Sequence, residues 1–167
     1  MYITLETDYA IRIVATLACE KRRLDAKTIS DTTCVTLRFA LKILRKLVST
    51  GILKSFKGIQ GGYELAKKPE EISLKDIIET IEGTYMLNRC LDFSTPCSRG
   101  MSGNCSIQDA FSEISALVIA KLEYYTMDKF DASLQKPDTD NDCEHKLKNG
   151  ECKNAECCEQ LSKVTNK

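Results

Sequence analysis

From Thr4 to Cys19 the apolar residues Leu5, Tyr9, Ile13, Val14 and Leu17 recur at helical spacing. This predicts an amphipathic first helix of about four turns. Asp25 is placed to cap a short second helix through about Thr33, and Thr36 to cap a third, in which Leu37, Leu41, Leu44 and Leu47 form one stripe. The other face of that third helix carries Arg38, Lys42 and Arg45. Residues at i, i+4 and i+7 share a side of a helix, so the three cations are expected to project together, away from the leucines.

Gly51 is expected to stop the third helix, and the stretch ILKSFKGIQGGYELA reads as two short strands around a glycine-rich turn. Gly58, Gly61 and Gly62 tolerate the backbone angles such a turn needs, and Ile52, Phe56, Tyr63 and Leu65 can anchor the hairpin on the helices. Ser73 and Asp76 have the spacing of a capping box at the head of a fourth helix striped by Leu74, Ile77, Ile78 and Ile81 and ended by Gly83. Residues 84–105 show no period and contain Pro96, Gly100 and Gly103, so they read as a long loop that needs a bound group to order it. A final helix is expected from Ser106 to Phe130, with Ile107, Phe111, Ile114, Leu117, Val118, Leu122 and Tyr125 as a wide apolar stripe. A helix that long on a small domain suggests pairing with a second copy. Residues 131–167 are polar, with few large apolar side chains, and read as a flexible tail.

Composition narrows the function. The 167 residues suffice for one domain of ordinary size, and 43% hydrophobic with 29% charged residues is a globular balance. The formal net charge is zero, yet between Thr36 and Lys68 eight bases stand against the single acid Glu64. A segment of net +7 in a neutral chain suggests one face built for a polyanion. The N-terminus lacks the basic region and uninterrupted apolar core of a secretion signal, and no run approaches the roughly 20 apolar residues of a membrane span, so a cytoplasmic location is expected. In a reducing compartment nine cysteines point to metal or redox chemistry rather than disulfides.

Three helices followed by a β-hairpin, with cations on the outer side of the third helix, is the element order of a winged helix-turn-helix. The expected class is thus mainly α with a small β-hairpin wing: residues 1–83 as the DNA-binding domain, 84–105 as a cysteine-bearing loop, 106–130 as a dimerisation helix and 131–167 as a tail. The partner implied is double-stranded promoter DNA. Thr36 is counted among the DNA-binding residues, and Arg38 and Lys42 lie near the N-terminal half of the third helix, where side chains reach base edges. Arg45, Lys46 and Lys54 are better placed for phosphates, and Lys57 and Gln60 at the wing tip for a minor groove. The plainer alternative, a merely solvated face, leaves the wing glycines and the basic segment unaccounted for.

Cys90, Cys97 and Cys105 are spaced C-x6-C-x7-C in the loop before the last helix. Thiolates are the usual protein ligands of iron-sulfur clusters, and such a loop can wrap three of them around a 2Fe-2S or 4Fe-4S cluster. The alternatives are an uncoordinated thiol loop or zinc, and zinc, which usually shows tighter C-x2-4-C pairs, ranks behind a cluster.

ITLETDYAIRIVATLA, TLRFALKILRKLVSTGILKSFKGIQGGYELAK, ISLKDIIETIEG and the three loop cysteines together resemble the IscR and NsrR family of regulators over residues 1 to about 130. The most specific piece is G-x-x-G-G-Y-x-L-A at Gly58 to Ala66. The resemblance implies a homodimeric winged-helix repressor or activator, with the last helix used for pairing and often a cluster. Lys57 stands where family members often place arginine, keeping charge but losing the planar fork. The histidine ligand of the cluster-assembly branch is replaced here by Gln108, whereas the nitric-oxide-sensing branch has an aspartate at the position of Asp8, contributed by the partner subunit. The resemblance therefore implies Cys90, Cys97, Cys105 and Asp8 of the partner subunit as the ligand set. Asp8 can equally be a charge that favours the helix dipole.

Cys19 and Cys34 are expected to be small buried residues. In the tail, Cys143, Cys152, Cys157 and Cys158 with His145, the only histidine, suggest a second metal or redox site. The competing functions are a regulator without a cluster that answers to a metabolite or partner enzyme, and an iron-sulfur or metal carrier without a DNA target. Catalysis is not expected: no nucleophile-base pattern is present.

Overall fold

The computed structural model describes residues 3–58, 61–84, 86–92, 97, 100 and 105–130. Helix α1 (Leu5–Glu20) starts at Thr4, whose hydroxyl accepts from the Thr7 amide, and ends at Lys21 in the left-handed region. Its second half is buried almost all round: Ile13, Val14, Ala15, Leu17 and Ala18 form the centre of the core. Leu5, assigned to the buried stripe by periodicity, is instead 62% exposed. Helical side chains lean toward the N-terminus, so a first-turn residue overhangs the end of the body it would pack on.

Helix α2 (Ala26–Thr33) is capped by Asp25, which accepts from the amides of Lys27 and Thr28. The turn that follows is closed by the Ser30 hydroxyl donating to the Val35 carbonyl at 2.6 Å and the Thr33 hydroxyl donating to the Ile29 carbonyl at 2.7 Å. Cys34 holds the left-handed position of this turn, φ 55°, and is exposed. The expectation that it is buried is thus corrected, because the turn swings its side chain outward. Cys19 is half-buried.

Helix α3 (Leu37–Ser49) starts at Thr36, but the Thr36 side chain makes no capping bond. Its carbonyl instead accepts from the amides of Phe39 and Ala40. The buried row is Ala40, Ile43, Leu44 and Leu47, at i, i+3, i+4 and i+7. Leu41 is half-buried and Leu37 is 44% exposed, so the predicted leucine stripe is rotated by one residue at its centre and overhangs at its start, as Leu5 does.

Strands β1 (Leu53–Phe56) and β2 (Gly62–Leu65) pair antiparallel, with Leu53 opposite Leu65 and Phe56 opposite Gly62. A third segment joins them: Leu24 donates to the Tyr63 carbonyl at 3.1 Å and Tyr63 donates to the Leu24 carbonyl at 2.8 Å. This pairing explains Gly62, where a Cβ would lie 2.5 Å from the Leu24 carbonyl oxygen in a backbone of φ +147°. Gly62→Ala should therefore cost about 2–3 kcal/mol through strain and loss of that pairing. Thermal or urea unfolding checks it, and unchanged stability would show that the segment from Arg23 to Leu24 can move away.

Helix α4 (Leu74–Glu82) opens with the expected capping box, Ser73 with Asp76, and Gly83 caps its end at φ +85°. Helix α5 (Ser106–Tyr124) is shorter than its apolar stripe predicts. At Tyr125 the chain leaves the helix and pairs with the segment before α4: Leu74 donates to the Tyr125 carbonyl and Met127 to the Ile72 carbonyl, each at 2.9 Å. Met127 thereby enters the core at 1% exposure, a position it would lose if the helix ran on to Phe130.

Candidate nucleic-acid interface and cysteine loop

Arg38, Lys42 and Arg45 are exposed along one side of α3, as their spacing predicts. Two of the expected contacts are not freely disposed. Glu6, in the first turn of α1, places Oε2 2.9 Å from Lys42 Nζ and Oε1 2.7 Å from Lys46 Nζ. Lys46 also donates to the Ile81 carbonyl at 3.5 Å and is half-buried. The ammonium of Lys46 first, and then that of Lys42, holds the Glu6 carboxyl below its ordinary range against the opposing effect of burial. Glu6 lies 36 residues from Lys42, so periodicity gives no hint of the contact.

The position of that first turn is itself secured. Glu82 at the end of α4 accepts from the Thr4 amide at 2.8 Å, the Thr4 hydroxyl at 3.0 Å and the buried Thr7 hydroxyl. Those bonds, the Thr7 hydroxyl foremost, lower the Glu82 carboxyl below its usual range. Tyr9 meets Phe39 of α3 edge to face, with ring centroids 5.7 Å apart. Asp8 pairs with Arg12 at 2.6 Å, one turn on along the same helix, and remains accessible. Both acids of the first turn also favour the helix dipole.

On the hairpin, Lys54 and Lys57 are exposed. Gln60 lies outside the described residues. The hairpin is braced from behind by Arg23, whose guanidinium sits 3.4 Å over the Phe56 ring and 3.2 Å from Glu64. Sequence reasoning missed Arg23 as it missed Glu6, since 41 residues separate it from Glu64.

Cys90, Cys97 and Cys105 are all half-buried. Cys90 lies in a short 3-10 turn, Arg89–Leu91, and its amide donates to the Asn88 side chain at 3.4 Å. Cys105 is the residue immediately before α5, and three positions later Gln108 Nε2 donates to the Cys90 carbonyl at 3.0 Å. The first and last cysteines are thus fastened near the N-terminal end of one helix. Three partly accessible thiols are the right donor chemistry for an iron-sulfur cluster, and a helix N-terminus suits the negative charge of a thiolate-bound one. Among the described residues, no three Cys, His, Asp or Glu side chains converge as a group that could hold a metal ion. The tail residues Cys143, His145, Cys152, Cys157 and Cys158 lie outside the described residues.

A helix-turn-helix with a cationic third helix and a braced two-stranded wing defines a winged-helix DNA-binding protein. Residues 3–132 match the Rrf2 family, described as an iron-dependent transcriptional regulator, and the chain belongs to that family. Its relatives include the HTH-type transcriptional regulator NsrR of Shouchella clausii, 29% identical over 129 residues, which cover 76% of this chain and 86% of that one. NsrR of Bacillus subtilis is 25% identical over 129 residues, 76% of this chain and 88% of its own. Solved structures share the fold. IscR of T. potens superposes with a TM-score of 0.60 at 19% identity, over 77% of this chain and 84% of that one. CymR, the global cysteine regulator of B. subtilis, gives 0.57 at 22%, over 77% and 94%. The protein is therefore a DNA-binding transcriptional regulator. No described helix is long and apolar enough to cross a membrane.

Proposed function

We propose that this regulator acts as a homodimer in the cytoplasm on promoter DNA, and that an iron-sulfur cluster on Cys90, Cys97 and Cys105 sets its affinity. The observation that carries the cluster reading is the fastening of Cys90 and Cys105 at the head of α5 through Gln108. A change in what those thiols hold would bear directly on the helix assigned to pairing. The bound group would supply a redox- and nitric-oxide-reactive centre whose gain or loss signals chemical stress or iron supply. Asp8 of the partner subunit is the candidate fourth ligand, and it would have to leave the pair its own chain makes with Arg12.

On the DNA side, Thr36 and Arg38 at the start of α3 are assigned to base edges, and Arg45, Lys54 and Lys57 to the backbone, with Gln60 at the wing tip. Lys42 and Lys46 join them only in competition with Glu6. Anaerobic reconstitution with iron and sulfide, followed by absorbance, metal analysis and promoter binding across salt concentrations, tests both halves together. A coloured protein whose DNA affinity changes on cluster loss and falls steeply with salt is the expected result. Colourless protein that still binds promoter DNA would favour a regulator read by a metabolite or partner protein. Coloured protein indifferent to DNA would favour a carrier.

A further inference from the structure

The four cations of α3 do not face DNA on equal terms, because one carboxylate from another helix occupies two of them. We propose that Glu6 is an affinity-setting residue of the DNA interface, an internal competitor that withholds Lys42 and Lys46 from phosphate. This rests on the DNA-binding reading and adds to it a residue that no DNA-contact argument would select.

The geometry is specific. Each Glu6 oxygen takes one ammonium, at 2.9 Å and 2.7 Å, so the carboxylate bridges two cations one turn apart on α3. The Glu6 side chain is only 18% exposed, whereas that of Lys42 is 55% exposed. The anion is therefore held inside while one of its cations lies at the surface that would meet the duplex. Glu6 does not reach this place by its own flexibility. Thr4 and Thr7 are bound to Glu82, and Tyr9 packs on Phe39, so the turn that carries it is pinned to α4 and α3 on either side.

The physical consequence is a reduced count of phosphate contacts. A cation already neutralised releases no counterion from DNA when it docks, and its partner carboxylate repels the phosphates nearby. Because Glu6 rides on α1 and the lysines on α3, any shift between these helices alters how much positive charge α3 offers. That makes the α1 to α3 contact a place where DNA affinity can be adjusted without touching a base-reading side chain.

Glu6→Gln keeps the size of the side chain and removes the charge. In full-length protein, binding to a random-sequence duplex measured against salt concentration should show tighter binding for E6Q. Its log K against log salt slope should be steeper by up to about 1.8 per bound protomer, two phosphates at about 0.9 each. Between roughly 200 and 50 mM salt the advantage over the parent should widen roughly tenfold per bound protomer. The triple variant E6Q/K42Q/K46Q should lose that extra slope. Glu6→Asp is too short to span both ammonium groups and should give about half the effect, which keeps the test open if E6Q folds poorly by circular dichroism. A purely structural Glu6 would lower the melting temperature and leave the slope unchanged; that result, or weaker binding by folded E6Q, overturns the proposal. If the parent protein binds no duplex even at low salt, the DNA reading itself fails.

Discussion

Replacing Cys97 with alanine should leave anaerobically reconstituted protein colourless, with iron and sulfide near background, while the parent takes up both. Among the described residues, Cys97 is the one of the three loop cysteines farthest in sequence from a regular element. Cys90 sits in a 3-10 turn and Cys105 abuts α5. A change at Cys97 therefore perturbs ligation more cleanly than folding, and its half-buried side chain leaves little core to disturb. The loss is expected to be nearly complete, because removing one of three thiolates leaves the cluster only two sulfur ligands from the chain. Promoter affinity of the variant should match that of the cluster-free parent, and the melting temperature without metal should be unchanged. If colour and iron survive in Cys97→Ala and likewise in the Cys90 and Cys105 variants, the ligands lie elsewhere, and the tail cysteines with His145 become the set to examine.

Leu117→Asp should convert the protein to a monomer and lower its promoter affinity by about 100-fold or more. On α5 the residues Ile107, Ile114, Leu117 and Tyr124 are 55%, 48%, 64% and 59% exposed. Their spacings of seven, three and seven place them on a single seam, the pattern by which one helix packs on another. Ser115 is the only residue of the helix that its own chain buries. Such a row is unfavourable in water, and the second copy we propose would cover it. An aspartate at the most exposed position adds a charge to the seam, costs the protomer little, and places two like charges in the pair. Two linked DNA-reading heads gain roughly 10²–10⁴ in avidity over one, and this gain would disappear. Light scattering at micromolar concentration and promoter binding check the two parts. A dimer of parental affinity would place the pairing surface elsewhere.

The two outcomes are separable. Loss of the cluster with an intact dimer would leave α5 as a pairing element and the loop as its sensor. Loss of the dimer together with the cluster would mean that the second chain helps to complete the ligand set, as the assignment of Asp8 of the partner subunit requires.

Local chemistry made most of the architecture readable from residues alone. Asp25 and the pair Ser73 with Asp76 mark helix starts because capping depends on neighbours two or three positions away. Gly58 marks the wing because its own backbone, at φ +98°, is one that a residue with a Cβ resists. The exposed row Arg38, Lys42 and Arg45 follows from helical geometry without any partner.

What tertiary structure decided lies where distant segments meet. The end of α5 at Tyr124 is imposed by backbone pairing with the segment from Ile72 to Leu74 and by the burial of Met127, neither of which the apolar period of the helix contains. The exposure of Cys34, by contrast, is a local outcome that apolar periodicity does not register, a left-handed turn fixed by side chains of α2. Glu6 reads in sequence as one more acid at a helix start, and only the packing of α1 across α3 puts its carboxylate between two lysines. Pattern reports which face each segment turns inward; which charges then confront one another depends on how those segments cross, and that is a property of the folded chain.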